Sequence, residues 1–245
     1  LRRILKTSPL LLPLALLFWP LTALVLYCDS SAVISAIGYG QWPSTLLALA
    51  YLAALLSQMN PQHRLLTIVF VPLSAIGETI FSLGLDLYRY QLEAIPLYVP
   101  LGHSILLAVG LAYSDTSWVE RHRRLLDWGL TLFHVLLVGG ALLLFNDTLS
   151  AIFMAMFLLL LRRRIKNRTA YLLIGVLVLY VELLGTYWGC WVWELSPLGW
   201  LHTTNPPTGA FACYVVGELA AVRYAIMFGS WWARYRTPHL ATRGA

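Results

Sequence analysis

The stretch Gly77-Glu78-Thr79-Ile80-Phe81-Ser82-Leu83-Gly84-Leu85-Asp86-Leu87-Tyr88-Arg89-Tyr90, leading into Ile95-Pro96-Leu97-Tyr98-Val99-Pro100-Leu101-Gly102-His103, decides how the chain is read. It sets a carboxylate inside an apolar run, an aromatic and charged loop after it, and a histidine inside the next apolar run. Outward from it the same alternation continues to both ends. A spanning helix needs roughly 20 mostly apolar residues. About eight candidate runs satisfy or approach that length: Pro9 to Tyr27, Trp42 to Gln58, Leu65 to Gly84, Pro96 to Tyr113, Leu125 to Phe145, Thr148 to Leu161, Ala170 to Cys190 and Pro207 to Gly229.

Composition agrees with that reading. At 59% hydrophobic, 11% charged and a mean hydropathy of +0.72, the 245 residues are too apolar for an ordinary soluble domain. The expectation is an all-α, polytopic membrane bundle of about eight helices, forming one transmembrane domain over residues 1–245.

The net charge of +6 suggests an anionic partner, but the placement of the charges excludes nucleic acid. With both termini in the cytoplasm, fifteen of the seventeen basic residues fall in inner segments. Arg89 alone lies in an outer loop and Arg223 inside a span. That asymmetry is the positive-inside bias, and it points to a bacterial inner membrane. The short sixth run, which a re-entrant segment would also explain, is needed to keep the parity. The inner arginines do their ordinary topogenic work beside anionic headgroups.

The N-terminal Leu1-Arg2-Arg3-Ile4-Leu5-Lys6 has the charge order of a signal peptide, but the apolar run after it is long enough to span and reads as an uncleaved first helix. Pro13, Pro20 and Pro72 are expected to kink their helices. Cys28, Cys190 and Cys213 have no metal-binding spacing and read as free thiols; a Cys28–Cys190 disulfide near the outer surface is the alternative. Most of the tryptophans and tyrosines at run ends form an aromatic belt.

Four charged residues fall well inside spans: Glu78, Glu182, Glu218 and Arg223. Each costs at least about 2.5 to 3.5 kcal/mol at mid-bilayer, so each is expected to face the interior and have a partner. At about 1.5 Å of rise per residue, Glu78, Glu182 and His103 share the outer half of the membrane, with Glu218 and then Arg223 below them. Glu78 and Glu182 are the candidate acid and base, with His103 orienting water or substrate. Asp86, Tyr88, Tyr90, Trp191, Trp193, Asn205, Glu218 and Arg223 are candidate substrate contacts. His134, among apolar neighbours, reads as a satisfied interhelical hydrogen bond, and Glu218 with Arg223 also reads as a structural pair. Metal ligation by Glu78, His103, Glu182 and Glu218 is the rival chemistry, but no E-x-x-H or H-x-x-x-H spacing supports it, so no metal is assigned. The cofactor is left open.

Two sets of four spans share a starting orientation, so a duplication here is a parallel repeat, 1–124 and 125–245. Glu78 is followed at +10 and +12 by Tyr88 and Tyr90; Glu182 is followed at +9 and +11 by Trp191 and Trp193. The aromatic loop from Trp191 to Gly209 is expected to fold over the bundle mouth.

Glu78, the Tyr88-Arg89-Tyr90 loop, the Ile95 to Pro100 entry into the next helix and the later Trp191-Val192-Trp193 together resemble the bisanhydrobacterioruberin type of the carotenoid hydratase family. Gly102-His103 and Asn205-Pro206-Pro207-Thr208-Gly209 depart from that family's pattern. The resemblance covers about a quarter of the chain and implies hydration of an isoprenoid chain.

Three functions fit these features. The first is an intramembrane enzyme acting on a hydrophobic isoprenoid or lipid, hydratase- or isomerase-like. The second is a proton-coupled transporter, disfavoured by almost purely apolar inner halves. The third is a noncatalytic accessory subunit meeting a membrane protein or a pigment. Membrane lipids surround the chain in every case.

Overall fold

The computed structural model describes residues 8–38, 41–162, 168–212 and 214–215. Nine α-helices and one two-stranded sheet lie among them. The first apolar run does not form a single helix: α1 (Leu11–Leu16) and α2 (Phe18–Cys28) meet at Leu17, and α3 (Ser31–Ile37) follows at 49° to α2. Ser30 caps α3 by accepting from the Val33 amide, and Gly38, at φ 72°, ends it in the left-handed conformation that favours glycine. This short helix lies outside the eight apolar runs, because seven residues carry too little periodicity to stand out.

After α4 (Gln41–Gln58), Asn60 caps α5 (Pro61–Glu78) by accepting from the His63 amide, with Pro61 in the first turn where no donor is lost. The third run was expected to stay α-helical to Gly84. Instead α5 stops at Glu78 and continues as a π-helix over Thr79–Gly84, closed by the Leu85 amide donating to the Ile80 carbonyl. The wider turn starts immediately after the buried carboxylate, where π segments commonly adjust a side chain's aim.

The helix α6 (Tyr98–Ser114) is the most enclosed and packs against α4, α5 and α9 (Arg168–Tyr187). Its contact with α9 is close because Gly110 lacks a side chain: a Cβ there would sit 2.3 Å from Ile174 Cγ1. Thr116 caps α7 (Ser117–Phe145), so most of the expected basic connector from Ser114 to Arg124 is the first turns of a 29-residue helix. The sixth run is the helix α8 (Thr148–Arg162). Two strands, β1 (Tyr88–Tyr90) and β2 (Trp191–Trp193), pair antiparallel across one end of the bundle.

Among the described residues three helical segments are long and apolar enough to cross a membrane: Pro61–Gly84, Ser117–Phe145 and Arg168–Tyr187. The bent pair α2 and α3 makes a fourth if counted as one span. The helices α6 and α8 are apolar but have 17 and 15 residues. At about 1.5 Å per residue neither reaches the roughly 30 Å of a bilayer core by itself. Most of the eighth run lies outside the described residues. Leu125, Trp128, Leu136, Leu143 and Leu144 of α7 are largely exposed, an apolar surface that lipid would cover.

A fully buried carboxylate, Asp147, ties the loop after β2 to the start of α8. Its Oδ1 accepts from the Ser150 amide at 3.1 Å and the Thr203 hydroxyl at 2.8 Å. Its Oδ2 accepts from the Thr204 hydroxyl at 3.1 Å and from the Thr208 amide and hydroxyl at 3.4 and 3.3 Å. The loop is thus folded against the bundle, as the aromatic composition of the segment leads one to expect. Asp147→Ala leaves several buried donors unmatched, so we expect a loss of about 3 kcal/mol. Thermal unfolding in detergent checks this; a midpoint equal to wild type would show that the loop is held by its aromatics alone.

Candidate functional site

In an extended strand residues i and i+2 face the same way, so Tyr88 and Tyr90 of β1 point inward while Arg89 points out, and Trp191 and Trp193 of β2 point inward while Val192 points out. The register sets Tyr88 opposite Trp193 and Tyr90 opposite Trp191. Each strand follows the helix that carries its glutamate. The four aromatic side chains therefore converge on two carboxylates, Glu78 at 3% exposure and Glu182 at 2%.

Each glutamate is held by three groups, two of them from its own strand. Glu78 Oε2 accepts from the Tyr88 hydroxyl at 2.8 Å and the Tyr90 hydroxyl at 2.5 Å, and Oε1 lies 2.8 Å from His103 Nε2 on α6. Glu182 Oε2 accepts from the indole nitrogens of Trp191 and Trp193 at 2.9 and 3.0 Å, and Oε1 accepts from the Tyr214 hydroxyl at 2.9 Å. The third partners meet face to face: the His103 and Tyr214 rings stack at 4.3 Å and 9°. One network thus runs from Glu78 through His103 and Tyr214 to Glu182. No protein-family model, curated protein or solved structure matches the chain.

Donor chemistry makes the two halves unequal. An indole N–H can only donate, so Glu182 Oε2 is fixed as an acceptor and any proton on this carboxyl sits on Oε1. The phenols around Glu78 can donate or accept, although burial and the neighbouring Glu78 raise Tyr90 well above the usual tyrosine range and keep it a donor. Glu78 Oε1 and His103 Nε2 are joined by one hydrogen bond, which the imidazole donates when its Nε2 carries the proton. His103 keeps 11% of its side chain open against 3% for Glu78, so the imidazole is the more open member of the pair.

Two apolar cavities adjoin the network. The first, about 70 Å³, lies between α2, α4, α6 and α9 and reaches His103, Tyr214 and Glu182. The second, about 60 Å³, lies along α5 and reaches Ser74, Gly77, Glu78 and His103.

Of the residues singled out from sequence, Glu78, Glu182, His103, Tyr88, Tyr90, Trp191 and Trp193 come together here. Asp86 lines neither of these two cavities but a more open, polar pocket of about 310 Å³ beside Arg89, Tyr90 and Glu93; it is exposed, at φ 49°, and paired with Arg89 at 2.8 and 2.5 Å, which holds its carboxyl below the usual aspartate range. Asn205 lines neither cavity; its side-chain oxygen accepts from the Trp193 amide at 3.2 Å and so positions β2. Glu218 and Arg223 lie outside the described residues, as does Cys213. Cys28 and Cys190 are free thiols, so the alternative of a disulfide between them is set aside. His134 bonds within its own helix, Nδ1 donating to the Leu130 carbonyl at 2.7 Å, and its Nε2 faces the Gly175 backbone of α9, in keeping with the expected interhelical contact.

Several participants escaped sequence reading. Tyr214 is one aromatic among many in an apolar run. Tyr98 donates to buried Asp29 at 2.6 Å, and Gln91 donates to the Asp29 carbonyl, tying the loop after β1 to the end of α2. Only the position of Tyr214 in the eighth run, matching that of His103 in the fourth, could have found it.

Proposed function

We propose that this chain is an intramembrane acid–base enzyme acting on a hydrophobic, unsaturated chain of isoprenoid character by hydration or isomerisation. The observation that carries the reading is the stacked His103–Tyr214 pair linking two buried glutamates beside apolar cavities. A bundle needing only structural support has no reason to concentrate two carboxylates and an imidazole where apolar material is to be accommodated.

In this reading His103 transfers the proton. Glu78 holds Nε2, fixes the ring plane and balances the imidazolium charge, as a carboxylate does for histidine in other acid–base pairs. Proton delivery to one carbon of a double bond forms a C–H bond and leaves positive charge on the next carbon. Glu182, committed as an acceptor by the two indoles, and the surrounding aromatic faces offset that charge. In hydration, water then forms the C–O bond and gives its surplus proton directly to the His103 imidazole, which was left neutral by the first step. In isomerisation, a neighbouring C–H bond gives up its proton to the neutral His103 imidazole, its electron pair forms the shifted double bond, and the imidazolium is restored. The faint resemblance to carotenoid hydratases favours an isoprenoid over an acyl chain.

The membrane frame belongs to the same proposal. Eight spans with cytoplasmic termini place the strand pair and the site toward the outer face of a bacterial inner membrane, and the two glutamate-bearing halves form a parallel repeat. The antiparallel pairing of β1 with β2, each donating to its own glutamate, supports that repeat.

The test uses purified protein in liposomes containing a linear isoprenoid olefin, in D₂O. Deuterium should appear on carbon in the recovered olefin or alcohol. Incorporation no faster than with a variant carrying both Glu78→Gln and Glu182→Gln would overturn the reading.

A further inference from the structure

Three residues of α5 that border the second cavity, Ser74, Gly77 and Glu78, stand at positions i, i+3 and i+4 and so share one face of the helix. His103 of α6 borders the same space. The serine and the glutamate are a polar pair one turn apart, with Phe70, Leu73 and Phe81 as their apolar neighbours.

Hydrogen-bonding capacity is left over on this face. Ser74 is buried and directs its single hydroxyl proton toward the Val71 and Pro100 carbonyls, at 2.8 and 3.2 Å, so its oxygen can still accept. Glu78 Oε1 is bonded to His103 at 2.8 Å and can accept a second bond. Side chains one turn apart on a helix are about 5–6 Å from each other, the span of two hydrogen bonds of about 2.8 Å laid end to end. Gly77 keeps the space beside them open, since a Cβ there meets nothing within 4 Å. At about 60 Å³ the cavity has room for about one or two waters, each taking about 30 Å³ in the liquid.

We infer that the second cavity is a water site, in which a water molecule donates to Ser74 Oγ and Glu78 Oε1 and stands beside the His103 imidazole. The first cavity lacks such a pair. On α9 the residues four and one before Glu182 are Val178 and Val181, where α5 has Ser74 and Gly77. The Tyr51 and Tyr98 hydroxyls at its wall are given to the Leu14 carbonyl and to Asp29. The inference deepens the acid–base reading and takes its chemical consequence from it. The water that hydration consumes is held in advance beside the group that receives its surplus proton, which favours hydration over isomerisation and makes Ser74 a positioning residue.

The test detects water directly, with the full chain in liposomes and ¹³C-labelled histidine. In water-edited solid-state NMR, magnetisation passes from water protons to nearby side chains; the His103 signal is the one missing from His103→Gln. In the wild type this signal is expected to rise at short mixing times. Gly77→Val fills the second cavity and removes the early rise, and Ser74→Ala weakens it. Gly102→Val grows into the first cavity, where a Cβ also meets nothing within 4 Å, and leaves the rise in place. The shift of His134, packed against Phe157 and Phe211, reports that each variant is folded, and Gly77→Ala is the smaller plug should valine disturb the helix. An early rise that is missing from the wild type, or that survives Gly77→Val, overturns the water site. No turnover enters the measurement, so a dry second cavity leaves the acid–base reading standing, and the deuterium-labelling test decides that reading separately.

Discussion

His103→Gln is expected to lower turnover by about 10²- to 10⁴-fold, the usual contribution of a positioned acid–base group. Glutamine can still donate to Glu78 Oε1, so the carboxylate keeps its third hydrogen bond and the bundle keeps its fold. What is lost is the ability to move a proton at the imidazole that borders both cavities. Glu78→Gln acts differently. Its amide oxygen still accepts from Tyr88 and Tyr90, while its NH₂ faces His103 Nε2 and pins the imidazole in one tautomer. As a positioning residue it is expected to cost less, about 10- to 100-fold, in kcat and not in KM. Kinetics of the two variants on the same prenyl olefin separate the roles. Equal losses, or a loss confined to KM, would remove His103 as the proton carrier.

Glu182 gives the second large effect, on stability. Glu182→Ala leaves the Trp191 and Trp193 indole N–H groups and the Tyr214 hydroxyl without their acceptor in a buried site. At about 1–3 kcal/mol for each of the three unmatched groups, the loss reaches about 3–9 kcal/mol before any cavity term. Glu182→Gln keeps an oxygen for the two indoles and turns its NH₂ toward the Tyr214 hydroxyl, which can accept. Its stability should stay within about 1 kcal/mol of wild type while its activity falls, because the negative charge opposite the reacting centre is gone. Thermal unfolding in detergent, with turnover measured on the same samples, distinguishes a structural from an electrostatic role. If Gln and Ala variants are equally stable, the indoles have found other acceptors and the network is looser than its distances imply. The fit around Trp191 argues against that: a Cβ on Gly185 would lie 2.0 Å from its ring, so little room remains for it to move.

Glu78 and Glu182 were legible in the sequence because a carboxylate in an apolar run is expensive and therefore conspicuous. His103 was legible as a polar group at matching depth, and the Tyr88/Tyr90 and Trp191/Trp193 spacings as a weak echo. Other parts of the site gave no such signal. A three-residue strand is too short for period-two alternation to be recognised, and the pairing of β1 with β2 joins residues about one hundred positions apart. Tyr214 is indistinguishable in sequence from a core or belt aromatic. Asp147 sits in a loop, where a carboxylate costs nothing, and nothing nearby in sequence announces that Thr203, Thr204 and Thr208 will surround it. Asp86 and Asn205 were singled out by their place in aromatic loops, which says nothing about whether a side chain turns in or out.

Composition and apolar patterning by themselves determined a helical, strongly apolar chain with buried acids, because hydrophobic transfer and the cost of burying charge act residue by residue and are visible in order along the chain. The tertiary structure alone decided which donors serve which carboxylate, that His103 borders both cavities while Glu78 borders one, and that the helix bearing Glu78 widens just past it. Those depend on strand register and on the meeting of α6 with the segment carrying Tyr214, contacts whose geometry no local stretch encodes.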